Sequence, residues 1–341
     1  MWNIVGQEGA VELLRQGLAK GNLSHAYLFV GPPNVGKMTL AVKLAQALNC
    51  EGTERPCENC RPCQRIASGK HADVQVIAPL RDDQGRPKRE IGIDQVRELL
   101  HSASLKPYEG RHRVFIVEGA DRLTQEAANC FLKTLEEPPS QVLILLLAHR
   151  EGDLLPTLCS RCQKVALQPL PMSVVEKALI EAGKETGQAK VLAHLSQGRI
   201  GWALSASAET MAQREATLER LFGLLGAGRE ERFAYAADLA AHLARDKDEA
   251  QEELEQWLTW WRDLLLVKGE HPELITNLDQ ESNLSAQAKS LTMEQVARFL
   301  AVLRRLGQEL ELNANPRLAL EVLMLDLPIR REKEGAGLSL P

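Results

Sequence analysis

Three groups of residues have types and spacings suited to chemistry. Gly31-Pro32-Pro33-Asn34-Val35-Gly36-Lys37 fits G-x-x-x-x-G-K, a loop whose backbone N–H groups cradle phosphates while the lysine ammonium reaches the outer ones. Gly31, Gly36, Lys37 and Thr39 are therefore candidate nucleotide contacts, with ATP as the default ligand. The residue after the lysine normally supplies a hydroxyl to Mg²⁺. Here it is Met38, whose thioether is a poor ligand for that hard ion, and Thr39 comes one position late. The expectation is a degenerate site at which nucleotide binding is possible and turnover is not expected; the alternative is an ordinary glycine-rich strand-to-helix turn.

The second group is Cys50, Cys57, Cys60 and Cys63, spaced C-x6-C-x2-C-x2-C. Four thiolates complete a tetrahedral Zn²⁺ shell, and the tight C-x2-C steps let sulfurs converge from a turn. No ligand position is left for water, so the zinc would be structural. Cys130, Cys159 and Cys162 stand singly and read as small buried residues. The third group is charged. Arg113–Glu118 reads as a short buried strand, and at its end an ATPase keeps the acidic pair that handles metal and attacking water. This chain has Glu118-Gly119-Ala120-Asp121, and Gly119 can neither polarise water nor bind metal. Asp121 is assigned to the start of the next helix. Glu136-Glu137 read equally as a solvated helix end or a site, and Arg161, on the polar turn Ser160-Arg161-Cys162, reads by itself as a surface salt-bridge residue.

The elements that must position these groups follow from periodicity. Ala26–Val30 is a buried strand ahead of the phosphate loop, and Leu40, Leu44, Ala47 and Leu48 mark one face of the following helix. Strands are predicted over Asp73–Pro79, Arg113–Glu118, Val142–Ala148 and Gln163–Leu167, with helices between them. The helix capped by Thr124 carries Ala128, Phe131, Leu132 and Leu135 and stops at Pro138-Pro139. Strand and helix alternate from Ala26 to Leu167, which predicts a parallel α/β sheet flanked by helices. The stretch Arg81 to Lys88 reads as an exposed loop.

Beyond Pro169-Leu170-Pro171 strand signals stop and the pattern is helical. Leu254, Trp257, Leu258, Trp261, Leu264 and Leu265 form one stripe, and Val296, Phe299, Leu300, Leu303 and Leu306 another. Tryptophans at helical spacing among leucines read as core or packing interface rather than as a platform for stacking bases. The tail 329–341 is polar and Gly-containing, with disorder as the expectation.

At 341 residues with 44% hydrophobic and 26% charged positions, the chain has length for two or three globular domains. A net charge of −5 argues against a protein that holds DNA alone. No apolar run approaches membrane-spanning length, the first residues form no signal segment, and the cysteine usage suits a reducing compartment. A cytoplasmic location with no membrane contact is expected.

Taken together, these features resemble the delta-prime subunits of bacterial DNA polymerase III clamp loaders, within the AAA+ superfamily. The residues carrying the resemblance are Ser24-His25-Ala26-Tyr27-Leu28-Phe29, the four-cysteine knuckle after the phosphate-loop helix, the run from Ala128 to Pro139 (ANCFLKTLEEPP), Ser160-Arg161-Cys162, and Asn315-Pro316-Arg317. The resemblance implies an AAA+ P-loop domain over 1–167 with its zinc knuckle at 50–63, a small helical lid over 168–206, and an all-α collar over 207–328 through which subunits form a hetero-oligomeric ring. It implies gamma or tau motor subunits and a delta subunit as direct partners, with the sliding clamp and primed DNA reached through the complex. In that branch Arg161 is similar to an arginine finger acting in trans on a neighbour's ATP. The alternative is an ATP-hydrolysing gamma/tau-type motor. Met38, Gly119, and Gly201 (where the branch carries a phosphate-sensing arginine) argue against it, with Arg199 out of register, and Ala148-His149 lacks the usual Thr or Asn that senses the γ-phosphate.

Overall fold

Short β-branched and aromatic runs punctuated by glycine and proline become parallel strands, each returning through a helix. In the computed structural model, which describes residues 2–80, 88, 90–311 and 314–328, the chain forms two compact units. One is Met1–Ala189 with Ser196–Leu204; the other is Lys190–Leu195 with Ser205–Pro341.

The first unit runs α1 (Glu8–Ala19), β1 (Ala26–Val30), α2 (Lys37–Asn49), α3 (Arg61–Ala67), β2 (Val74–Ile77), α4 (Ile93–Ala103), β3 (Arg113–Glu118), α5 (Gln125–Glu136), β4 (Val142–Ala148), α6 (Pro156–Cys159), β5 (Gln163–Ala166) and α7 (Met172–Glu181). Next come α8 (Thr186–Ser196), whose middle groups with the second unit, and α9 (Ile200–Ser205). The strands make one five-stranded sheet in the order β2-β3-β4-β1-β5, with every pairing parallel. This is the expected α/β P-loop architecture. Side chains alternate across the sheet: Tyr27, Phe29, Leu143, Leu145 and Leu147 pack under α1 and α2, while Leu28, Phe115, Ile144 and Leu146 pack on the face of α4 and α5. β4 is buried along its whole length, as a central strand covered on both faces must be.

Asp73 fixes the approach to β3. Its carboxylate accepts N–H groups from Tyr108, Glu109 and Gly110 at 2.7 to 2.8 Å and lies 3.3 Å from the Arg113 guanidinium. The expected loop from Arg81 to Lys88 lies outside the described residues apart from Lys88.

The second unit is helical: α10 (Ala208–Gly226), α11 (Arg229–Arg245), α12 (Lys247–Lys268), α13 (Glu281–Ser290), α14 (Met293–Glu311) and α15 (Pro316–Asp326). Trp257, Trp260 and Trp261 are fully buried in its core, and the Trp261 ring meets Phe299 at 4.4 Å. The tryptophans are therefore packing residues, unavailable to bases. Buried Arg232 donates to the carbonyls of Leu224, Leu225, Met324, Leu327 and Pro328, which ties the end of α15 to α10 and α11. The tail 329–341 lies outside the described residues.

Candidate functional site

The phosphate loop sits where the sequence places it, between the carboxyl end of β1 and the start of α2. Its turn uses left-handed backbone at Asn34 (φ 60°) and Gly36 (φ 105°). Gly31 lies so close to the strand-end carbonyl of Leu167 that an added Cβ would come within 2.4 Å of that oxygen, so only glycine fits there. The Lys37 ammonium folds onto the loop's own carbonyls, at 2.5 Å from Gly31 O and 2.8 Å from Pro32 O. Burial draws its pKa down to about 8, against the opposing pull of Asp121 and Glu118. Met38 packs against the core under the sheet and Thr39 is exposed, so neither sits as a magnesium ligand of the usual kind.

Two further parts of an ATP-hydrolysing site are shaped differently here. Gly119 adopts left-handed backbone (φ 72°), in which any side chain would be strained. Gly201 donates its N–H to Asn34 O at 2.8 Å, and a Cβ on it would meet that oxygen at 2.9 Å. The start of α9 thus lies directly on the phosphate loop, with no room for a side chain reaching toward phosphate.

Asp121 does not begin the helix; it lies in a separate 3-10 turn, Ala120–Arg122, and α5 starts only at Gln125 after its Thr124 cap. The turn brings Asp121 beside His149 at the end of β4, with Nδ1 3.3 Å from Oδ2. Burial pushes this carboxyl up, but the His149 contact and backbone N–H groups outweigh it and leave the net shift downward. The pair Asp121–His149 was not legible in the sequence, because its partners belong to different strand ends.

The four cysteines converge. Sγ atoms of Cys50, Cys57, Cys60 and Cys63 all lie within 4.8 Å of one another, close to the spacing of about 3.8 Å that tetrahedral Zn–S bonds require. Gly52 and Cys57 direct N–H groups at Cys50 Sγ, and Cys60 directs one at Cys57 Sγ, at 3.3 to 3.4 Å. Backbone N–H groups of Cys60 and Asn59 draw the Cys57 thiol down to about 6, while burial pushes Cys50 and Cys63 up. A Cβ on Gly52 would approach Cys57 Sγ within 3.2 Å, so glycine keeps the pocket of sulfurs open. The knuckle is tied to α2 by Lys43 on Glu58 and by Gln46 on the Cys63 carbonyl. This cluster is compatible with a structural zinc. The other three cysteines are partly rather than fully buried.

Arg161 follows α6 and is one-third exposed, at 33% of its side chain. Its Nε and Nη2 both donate to Glu136 Oε1, at 3.0 and 2.5 Å, and Nη1 donates to Thr157 O at 2.8 Å. The salt bridge that a lone surface arginine suggests is therefore present, and its partner is the last residue of α5. Twenty-five positions separate the two, so no local sequence signal could have paired them.

The chain is similar to known proteins along most of its length. Residues 6–171 match the family model described as DNA polymerase III, delta subunit. DNA polymerase III subunit delta' of Bacillus subtilis (strain 168) is 29% identical over 322 residues, 94% of this chain and 96% of that one. Subunit delta' of Pseudomonas aeruginosa is 32% identical over 236 residues, 69% of this chain and 66% of its own. DNA polymerase III subunit tau of Escherichia coli (strain K12) is 34% identical over 218 residues, but the match spans 62% of this chain and only 33% of tau.

Proposed function

This chain belongs to the delta-prime family of DNA polymerase III subunits, and from that premise we propose that it is a clamp-loader stator. It helps place the sliding clamp on primed DNA without hydrolysing ATP itself. Similarity to delta' along nearly the full length of both chains, at 29% identity, favours this over a gamma/tau-type motor, since Bacillus subtilis tau matches at 24% identity over 62% of its own length and Escherichia coli tau over 33%.

The observation that carries the reading is a contrast within one unit. The chain's own phosphate loop is filled by Lys37 and capped by Gly201, with Gly119 in place of a water-activating carboxylate. Arg161, by contrast, is presented on a turn, fixed at both edges of its guanidinium and still open to solvent. A guanidinium so held suits the γ-phosphate of ATP on an adjacent motor subunit, where it spreads developing charge over the phosphate oxygens. Glu136 and Thr157 then act as positioning groups for it.

In this reading residues 1–167 form the AAA+ domain, 168–206 the lid and 207–328 the collar, which joins gamma/tau and delta subunits in a hetero-oligomeric cytoplasmic ring. Cys50, Cys57, Cys60 and Cys63 hold one structural Zn²⁺, which fastens the knuckle to α2 and takes no part in turnover. Gly31, Gly36, Lys37 and Thr39 are a vestigial nucleotide site.

The test is Arg161→Ala in the reconstituted complex. Ring assembly should persist while clamp- and DNA-stimulated ATP hydrolysis falls by about 10³-fold or more, the scale of a lost arginine finger. Unchanged hydrolysis would remove Arg161 from the site.

A further inference from the structure

At the amino ends of the central strands, the end of the sheet away from the phosphate loop, the first unit contains a cavity of about 450 Å³. Four basic groups line it: His25 ahead of β1, Arg55 from the cysteine knuckle, and Arg111 and His112 ahead of β3. Among the described residues, no aspartate or glutamate lines it, although the chain as a whole carries a net charge of −5. His25 Nε2 and His112 Nδ1 are buried without a hydrogen-bond partner, which costs stability unless a ligand or solvent satisfies them. Burial, reinforced by neighbouring Arg111, holds the His112 pKa down.

The basic edge is built rather than incidental. Asn49, itself buried, accepts the backbone N–H groups of Arg111 and His112 on one oxygen, at 2.8 and 3.0 Å. Asp73 pins the three residues before them. The lining also includes the apolar side chains of Leu48, Pro138 and Leu143.

We propose that this cavity binds a small phosphate monoester with a ring-shaped or apolar body, independently of the phosphate loop. Two guanidinium forks match phosphate oxygens, and each imidazole can add one N–H. The volume far exceeds a bare phosphate and falls within the range of roughly 300–1,000 Å³ typical of small-molecule sites. The apolar lining residues Leu48, Pro138 and Leu143 would take the body of the ligand.

The test uses the full chain and AMP as probe, by calorimetric titration and by ¹⁵N chemical shifts of the histidine side chains. AMP should bind both wild type and Lys37→Ala, which separates this cavity from the phosphate loop, and should shift the His25 and His112 resonances. Arg111→Ser and Arg55→Ser should each weaken binding about tenfold, the loss of one charge-assisted contact. Thermal melts check that both variants fold. The proposal is overturned by no AMP binding at millimolar concentration, by binding that disappears in Lys37→Ala, or by binding indifferent to both arginine substitutions.

Discussion

Replacing Glu136 by Ala is the most informative perturbation of the proposed finger, because it leaves the arginine in place and removes what aims it. Glu136 takes two of the guanidinium's N–H groups and Thr157 a third. Both side chains are substantially solvent-exposed, at 33% for Arg161 and 54% for Glu136, and an exposed ion pair contributes only about 0.2–1 kcal/mol. Arginine carries about 2 kcal/mol of rotamer entropy, part of which the Thr157 contact continues to restrain. The net loss of preorganisation is therefore about 1 kcal/mol, or roughly five-fold in turnover. Steady-state ATP hydrolysis by the reconstituted complex with clamp and primed DNA would measure it. We expect kcat to fall about five-fold with KM for ATP nearly unchanged, since the contact acts in the transition state. Glu136→Gln, which keeps an accepting oxygen, should recover part of the loss. In an Arg161→Ala background, Glu136→Ala should change nothing further. An additive loss in that double variant would refute the positioning role. A complex that runs faster would mean instead that Glu136 withholds the arginine from the neighbouring site.

Three other outcomes follow from the same structure. Gly201→Arg should not restore ATP turnover and should lower the melting temperature, because its Cβ would meet Asn34 O at 2.9 Å; turnover by that variant would show that α9 can lift from the phosphate loop. Elemental analysis should find about one zinc per chain, absent from Cys60→Ser, and chelation should lower the melting temperature without changing a ring that is already assembled. Asp73→Ala should cost about 3–5 kcal/mol in denaturant unfolding, the scale for breaking a buried pair. Burial pushes the Asp73 carboxyl up, but its three backbone N–H donors and Arg113 outweigh this and hold it below its ordinary value of 3.8. Its folded pKa thus lies below the unfolded one, so its stabilisation is complete above the unfolded value and lost as pH falls through the folded one. Wild type should therefore lose stability more steeply than Asp73→Ala in acid, and parallel acid profiles would contradict this account of Asp73.

Local signals carried the parts that could be read from the chain alone. The G-x-x-x-x-G-K loop, the cysteine spacing and the short continuous apolar strands each span a few residues, and all three appear where the sequence places them. Met38 and Gly119 were legible as departures because they interrupt a local pattern. What stayed hidden was tertiary. Asp121 looked like a helix start because its neighbours favour one, but Gly119 turns the chain into a short 3-10 segment that delivers Asp121 to His149. Glu136 read equally as a solvated helix end or a site until the fold brought Arg161 to it. Gly201 could be recognised as a missing arginine, but not as a position where the backbone itself packs on Asn34.

The central claim is that this chain serves ATP hydrolysis without performing it. The most direct measurement is ATP turnover by the purified chain alone, followed by the same chain added to its motor subunits, clamp and primed DNA, for wild type and Arg161→Ala. The account predicts no turnover by the chain alone and a complex that loses about 10³-fold or more of its rate when Arg161 is removed. Magnesium-dependent turnover by the lone chain, abolished by Lys37→Ala, would contradict it and make this subunit a motor.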